Sequence, residues 1–423
     1  MPRHKPLADE VKFMSEVDGI VNMKRKKDIG QKGLVSAVNV ELTNTKHLTR
    51  RNGFMQADTG AYSAVYGTDA QTKLYAVKSG TLYDVDRDGV QTALTSGLLD
   101  GLYSWDEDPN NNVYFASDSG SNGIITQDGI FLPLALPTPA ILDVSVVDPG
   151  TWEVRPFNLG KTYTANQMQL MATYVMDDGR ETAPSETVSI DVAPEVKMIR
   201  VTVPTAGRIT NIYCTAPGGS TYYLVAVSSN AVITILVGNM NMTATGSEYP
   251  YTSSMIGFPD NASLLCFYDG QLYTAVNDPQ RGVGTVYRSL PLQYHLFDPN
   301  TVGGFTDVSS VPLLLLEHGE GVIIGTSTNI YNWAKDGTLD EIANFGVPPG
   351  ICGGYHHFNK KCYFWTHRGV ARAMPFELVT DGVFSGDPGV VSHAALLYER
   401  GYAKLVASTI SGAPNWNPFV ERS

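Results

Sequence analysis

Leu74-Tyr75-Ala76-Val77-Lys78-Ser79-Gly80-Thr81-Leu82-Tyr83, closing on Asp88-Gly89, is the phrase that decides the fold. Two strand-sized runs of aliphatic and aromatic residues flank a tight polar turn, and an Asp-Gly turn follows. The phrase returns as Val113-Tyr114-Phe115-Ala116 closing on Asp128-Gly129, and again at residues 264–275 around Asp269-Gly270. Later versions occupy residues 322–333, closing on Asp336-Gly337, and 362–373 around Arg368-Gly369. Equivalent strands recur about every 40–50 residues, the period of a four-stranded propeller blade. Each such unit leaves an apolar face that only its neighbours cover, so units of this kind close into a ring. A pair of stacked β-sandwiches with look-alike hairpins is the competing arrangement. Helical signal is confined to residues 6–14 and 393–399. The expected class is all-β: a β-propeller of about six blades.

Between residues 139 and 255 the phrase stops and longer strands take over, at 168–175, 187–192, 198–203, 211–215 and 222–228. Roughly seven strands with turns every 8–12 residues match a fibronectin- or immunoglobulin-like β-sandwich inserted between two blades. Asp177-Asp178-Gly179 supplies its strongest hairpin signal. The expected organisation is an N-terminal arm and closing strand (1–55), a first propeller part (56–138), the inserted sandwich (139–255) and a second propeller part (256–423). Residues 34–42 are the expected closing strand, which would complete the last blade and remove its open edge.

The chain has 423 residues, 43% hydrophobic and 17% charged, a composition that excludes intrinsic disorder. Thirty lysines and arginines against 42 aspartates and glutamates leave a net charge of −12. A protein that grips nucleic acid carries the opposite balance. The basic run Lys24-Arg25-Lys26-Lys27 reads as solvated, or as facing an acidic neighbour. No stretch approaches the roughly 20 apolar residues of a membrane-spanning helix, so no membrane insertion is expected. The polar N-terminus has no h-region and does not indicate a signal peptide. Cys214, Cys266, Cys352 and Cys362 lie in or beside strand-like runs and read as buried thiols of a reducing compartment.

Enzyme templates are missing: the sequence has no G-x-S-x-G elbow, H-E-x-x-H, Walker loop or G-x-G-x-x-G after a strand. The chain is therefore not expected to be an enzyme. A propeller glycosidase would place two carboxylates on separate blades without a linear signature. Asp106, Glu107, Asp108, Asp269, Asp307 and Glu317 are the candidates for such a pair. Asp84-Val85-Asp86-Arg87-Asp88-Gly89 matches the opening of a calcium loop, with Asp84, Asp86 and Asp88 as oxygen ligands and glycine at the sharp turn. Thr92 and Thr95 then stand where further ligands belong, and a hairpin turn braced by aspartates accounts for the same string. Calcium is the one cofactor in question. Cys352, His356, His357, Cys362 and His367 are zinc-binding residue types without knuckle spacing, and core packing is the simpler reading.

Several stretches carry a resemblance: Ala37-Val38-Asn39-Val40 with Leu48-Thr49-Arg50-Arg51-Asn52-Gly53-Phe54, then Gly80-Thr81-Leu82-Tyr83. Thr173-Tyr174-Val175 follows, running into Asp178-Gly179-Arg180-Glu181-Thr182-Ala183-Pro184-Ser185, then Ile212-Tyr213-Cys214-Thr215 and Tyr287-Arg288-Ser289-Leu290-Pro291-Leu292-Gln293-Tyr294. With these the chain resembles the tail nozzle proteins (head-to-tail stabilisation or tail hub proteins) of short-tailed bacteriophages. The likeness covers residues 34–349, and its motifs are structural. It implies a homohexameric ring at the distal end of the virion tail, assembled in the host cytoplasm. Adaptor and portal-proximal tail proteins and tail fibres would be its neighbours, and genomic DNA would cross its channel during ejection. No individual functional residue carries over. A conduit for a polyanion must not hold its passenger through many phosphate contacts, and an acidic chain meets that requirement. Charge repulsion reaches about 8 Å at physiological salt. Asp106, Glu107, Asp108, Asp177 and Asp178 are accordingly the candidates to line or narrow the bore. The rival readings are a receptor-binding or tail-fibre attachment protein, a propeller glycosidase, and a cellular propeller scaffold.

Overall fold

A computed structural model describes residues 60–410 apart from 69, 71, 87, 141, 148–153, 157–166, 192–197, 204–206, 217, 237–246, 279, 357–360, 382–388 and 400–401. Before residue 60 it describes the strand pieces Gly19–Ile20, Gly33–Leu34, Val40–Leu42 and Leu48–Arg50. The described chain is all-β, built from antiparallel sheets joined mostly by tight turns.

The opening phrase folds as read. Leu74–Lys78 and Thr81–Val85 pair antiparallel, with Lys78 opposite Thr81 across a two-residue turn. Ser79 and Gly80 have φ of 50° and 72°, the left-handed pair that matches the twist of hairpin strands. Ala64–Gly67 and Gln91–Ser96 flank this hairpin to complete the first sheet. Four more sheets follow the same serial order. The second holds Tyr103–Glu107, Val113–Ser117, Asn122–Ile125 and Phe131–Leu132. The third holds Ala262–Tyr268, Gln271–Asp278, Val283–Leu290 and Gln293–Phe297, with Phe305–Val308 also paired to Val283–Leu290. The fourth holds Pro312–His318, Gly321–Thr326, Ile330–Ala334 and Leu339–Ala343. The fifth holds Gly353–His356, Lys361–Thr366, Gly369–Arg372 and Glu377–Leu378.

Burial explains why these strands do not all alternate. Val113–Ser117 and Gly321–Thr326 are buried along their whole length, because neighbouring sheets cover both of their faces. A strand covered on both sides reads as a continuous apolar run. The outer strands Gln91–Ser96 and Leu339–Ala343 are half-buried to exposed and correspondingly polar. Each sheet shares an apolar core with the next. Val77, Leu82, Val113 and Phe115 join the first to the second, and Tyr114, Leu265, Phe267 and Phe297 join the second to the third. Tyr273, Val286, Val322 and Trp333 join the third to the fourth, and Leu314, Ile323, Phe364 and Trp365 the fourth to the fifth.

The chain leaves this stack once. Between the second and third sheets it builds two further four-stranded sheets. One contains Val154–Pro156, Asp143–Val147, Met198–Thr202 and Val232–Leu236; the other Val188–Asp191, Gln167–Val175, Ile209–Thr215 and Tyr222–Ser228. Their facing sides close over Val144, Leu170, Ile199, Val201, Ile212 and Ile235. Below, this two-sheet unit is called the lobe.

One expectation changes. Residues 393–399 are not helical: Val391–Glu399 is a strand paired along its length with Tyr402–Ile410. Alanine, leucine and glutamate favour helix only weakly, and tertiary pairing overrides them. Ser392 N donates to Pro349 O at 2.8 Å and Ala394 N to Ile351 O at 2.7 Å, so the hairpin is also tied sideways to the fifth sheet. The stretch 34–42 is represented by its two ends, in different ladders. Gly33–Leu34 runs parallel to Gly19–Ile20, and Val40–Leu42 pairs with Leu48–Arg50. Residues 6–14 lie outside the described residues.

Candidate functional site

The calcium-loop string is a braced turn. Asp86 Oδ1 accepts the backbone N–H of Asp88 at 2.9 Å and of Val90 at 2.8 Å, with Gly89 at φ 81°. Asp84 lies on the preceding strand, where Lys73 Nζ donates to its Oδ2 at 2.8 Å. Asp84 and Asp86 thus already have partners within the chain. No group of three or more His, Cys, Asp or Glu able to hold a metal occurs among the described residues. The same brace recurs without any calcium string: Asp108, Asp178, Asp278, Asp298 and Asp336 each accept a backbone N–H two residues on. Chelation with EDTA is therefore expected to leave the melting temperature unchanged. A fall of several degrees on chelation, restored by calcium, would show instead that a bound ion stabilises the fold.

Of the acids at residues 106–108, Asp108 is corrected as a bore lining, and the other two are half-buried. Asp108 is 4% exposed, and its carboxylate is spent on Asn110 N, Asn112 N, Asn112 Nδ2 and the Tyr114 hydroxyl. Asp106 Oδ2 accepts Phe267 N at 2.6 Å, and Ser104 Oγ exchanges hydrogen bonds with Leu265 N and O. These contacts lock the first strands of the second and third sheets side by side. Glu107 accepts the Tyr66 hydroxyl at 3.0 Å, tying the second sheet to the first. The three acids are internal fasteners, a role that a polar triplet in a strand–turn does not announce. Asp177 stays exposed at its hairpin tip, and Asp178 binds the Arg180 guanidinium at 2.7 Å.

The other candidate carboxylates lie on the third and fourth sheets. Asp269 sits in a hairpin turn and bonds Lys335 Nζ at 2.5 Å. Asp307 accepts Thr285 Oγ1 at 2.6 Å, and Glu317 is half-buried on Pro312–His318. Cys352 and Cys362 belong to the core between the fourth and fifth sheets. Burial pushes the Cys352 thiol up to about 12 and the Cys362 thiol higher still, as apolar packing of a neutral thiol does. His356 is on the strand beside Lys361, and His367 N bonds Gly346 O. His357 and the basic run 24–27 lie outside the described residues. All four cysteines are free and buried.

What the geometry does gather is the seat of the lobe. Arg180 Nη2 reaches Pro133 O at 2.9 Å, and His295, 4% exposed, bonds Glu181 O at 2.9 Å. Ala183, Met255 and Leu296 pack together beside them. A cleft of about 570 Å³ opens at the lobe's foot, lined by Thr138, Pro139, Glu186, Ser253 and Met255 among others. Asp298, close by, is held by Thr252, Ser254, Asn300 N and Thr301. Burial alone would push its carboxyl up; those hydrogen bonds outweigh burial and hold it below the usual range. Glu181 and His295 are 114 positions apart, so no local motif could have joined them.

No family model matches the chain, and no curated protein matches it. Among solved structures, the extracellular domain of the hybrid two-component system BT4673 from B. thetaiotaomicron is similar at 11% identity and a TM-score of 0.29. That match covers 79% of this chain and 34% of the other, so the chain spans about a third of that structure's length. A functionally unknown protein from Desulfotomaculum acetoxidans gives 9% identity and a TM-score of 0.30, over 81% and 89% of the two chains. The Neurospora crassa Pan2 WD40 domain gives 10% and 0.29, over 76% and 77%. Scores at this level carry no argument about the fold or function of the present chain.

Proposed function

We propose that the chain is a structural virion protein: the distal tail nozzle subunit of a short-tailed phage, a channel and gate for genome retention and ejection. The observation that carries the reading is a serial stack of four-stranded sheets, each sharing a core with the next and interrupted once by a two-sheet lobe. In this reading the stack is a propeller and the lobe a fibronectin- or immunoglobulin-like insert. Five sheets have their own four-strand order. In this reading the C-terminal hairpin Val391–Glu399 with Tyr402–Ile410 and the N-terminal pair Val40–Leu42 with Leu48–Arg50, each a separate two-stranded ladder, come together as a sixth. Copies of the chain assemble as a hexamer in the host cytoplasm, contact adaptor proteins and tail fibres, and let DNA pass without binding it. The net charge of −12 suits that last requirement. Asp177 and Asp178, exposed at the tip of the lobe hairpin, stay candidates to narrow the bore, beside the half-buried Asp106 and Glu107.

Negative-stain imaging of the purified protein, with its mass in solution, tests the proposal. Sixfold rings with a central hole are expected. A protein that stays monomeric at every concentration and forms no ring in the presence of its tail neighbours would overturn it.

A further inference from the structure

Beside the Arg180–Pro133 bond and the Ala183–Met255–Leu296 packing, a buried imidazole seats the lobe on the stacked sheets. His295 lies on Gln293–Phe297, the last strand of the third sheet's hairpin-linked run, and its Nε2 faces the Glu181 carbonyl. A carbonyl can only accept, so this nitrogen carries the proton and the neutral ring suffices for the bond. Two charged groups reach the ring, Arg180 and Asp178, both from the lobe turn. The Glu181 carboxylate is engaged elsewhere, by Thr173 Oγ1, Asn211 Nδ2 and the Tyr213 hydroxyl. From the second sheet, Tyr114, whose hydroxyl donates to Asp108, faces Arg180 across the same seam. On its own strand, the neighbouring acid Asp298 is bound up in its own turn.

We propose that the His295–Glu181 contact is an acid-released latch that fixes how the lobe sits on the stack. Burial keeps the docked imidazole below its ordinary range, and the positive charge of Arg180 adds to that, against the pull of the carbonyl and Asp178. An undocked ring in water takes up a proton at about pH 6.5, whereas the docked ring does so only at lower pH. The docked state therefore binds fewer protons in that window. The latch holds fully above the ordinary imidazole value and weakens as pH falls from there towards the docked value.

Hydrogen–deuterium exchange of the full chain at about pH 7.5 and about pH 5, corrected for intrinsic exchange, reads the latch. Protection of residues 177–185 is expected to fall at the acidic pH, by at most about thirtyfold, reversibly, while residues 74–85 of the first sheet, which hold no histidine, stay protected. The second buried imidazole, His318, bonds Asn332 within the fourth sheet and is told apart from the latch by the variants. His295→Gln keeps an N–H donor that does not titrate, and should hold protection at both pH values; His295→Ala should lack it at both. Unchanged protection in the wild type, acid sensitivity retained in His295→Gln, or loss spread equally over residues 74–85 would each overturn the proposal. Direct NMR titration of the wild-type ring serves if a variant does not fold: protonation below about 6.5 is expected, and at or above it sinks the latch.

Discussion

Replacing Trp333 with alanine is expected to cost about 3–5 kcal/mol, read as a lower denaturant midpoint at unchanged slope. Trp333 is 1% exposed in the core shared by the third and fourth sheets. Its ring meets the edge of Tyr273 at 5.2 Å between centroids, its Nε1–H donates to Gly337 O at 3.3 Å, and the Arg288 guanidinium lies 5.9 Å from it. The same guanidinium donates to Lys335 O and Val302 O, bridging loops of both sheets. Alanine removes the ring from both sheets at once and leaves a cavity that rigid strands cannot collapse into. Trp333→Phe keeps most of the apolar volume and should cost much less. A loss below about 1 kcal/mol for alanine would mean the two sheets do not depend on a common core.

Gly350→Ala is expected to free the C-terminal hairpin, with a local cost of about 2–4 kcal/mol. Gly350 has φ 108°, a conformation alanine resists, and a Cβ there would stand 2.1 Å from Ser392 O. That approach is what lets Ser392 and Ala394 bond Pro349 and Ile351. At about 1.4 kcal/mol per factor of ten, tryptic cleavage at Lys404, on the second strand of the hairpin, should accelerate roughly 30- to 1,000-fold if cleavage follows the open population. The rest of the chain should keep its resistance. Unchanged cleavage would show that the hairpin is not held by this contact.

The sheets were legible because local chemistry writes them. Ser79-Gly80 and Asp269-Gly270 spell two-residue hairpins, and runs such as 321–325 and 361–365 carry strand pattern in their own residues. Residues 393–399 misled because their propensity is helical while their partners, Ile351 and the strand Tyr402–Ile410, lie elsewhere in the chain. The candidate site was less legible for the same reason. Asp106 and Asp108 look like exposed loop acids until the strand containing Phe267 and the turn around Asn112 arrive to use them. Asp84-Val85-Asp86-Arg87-Asp88-Gly89 looks like a metal loop because bracing a turn and ligating a cation both call for a short acidic side chain.

The lobe's point of entry also bears on the order in which the chain acquires its structure. Arg288 and Lys335, which join the third and fourth sheets, are 47 positions apart, whereas Asp106 and Phe267, which join the second and third, are separated by 161. Closing the longer loop costs about 1 kcal/mol more in chain entropy if the intervening residues are unstructured. The remedy is for the lobe to fold first, drawing its two connecting strands together before the seam forms. Synthesis from the N-terminus favours that sequence, since the lobe emerges before the third sheet. The seam between the second and third sheets is then the step that waits, and lesions inside the lobe should slow the joining of these two sheets without touching any residue of either.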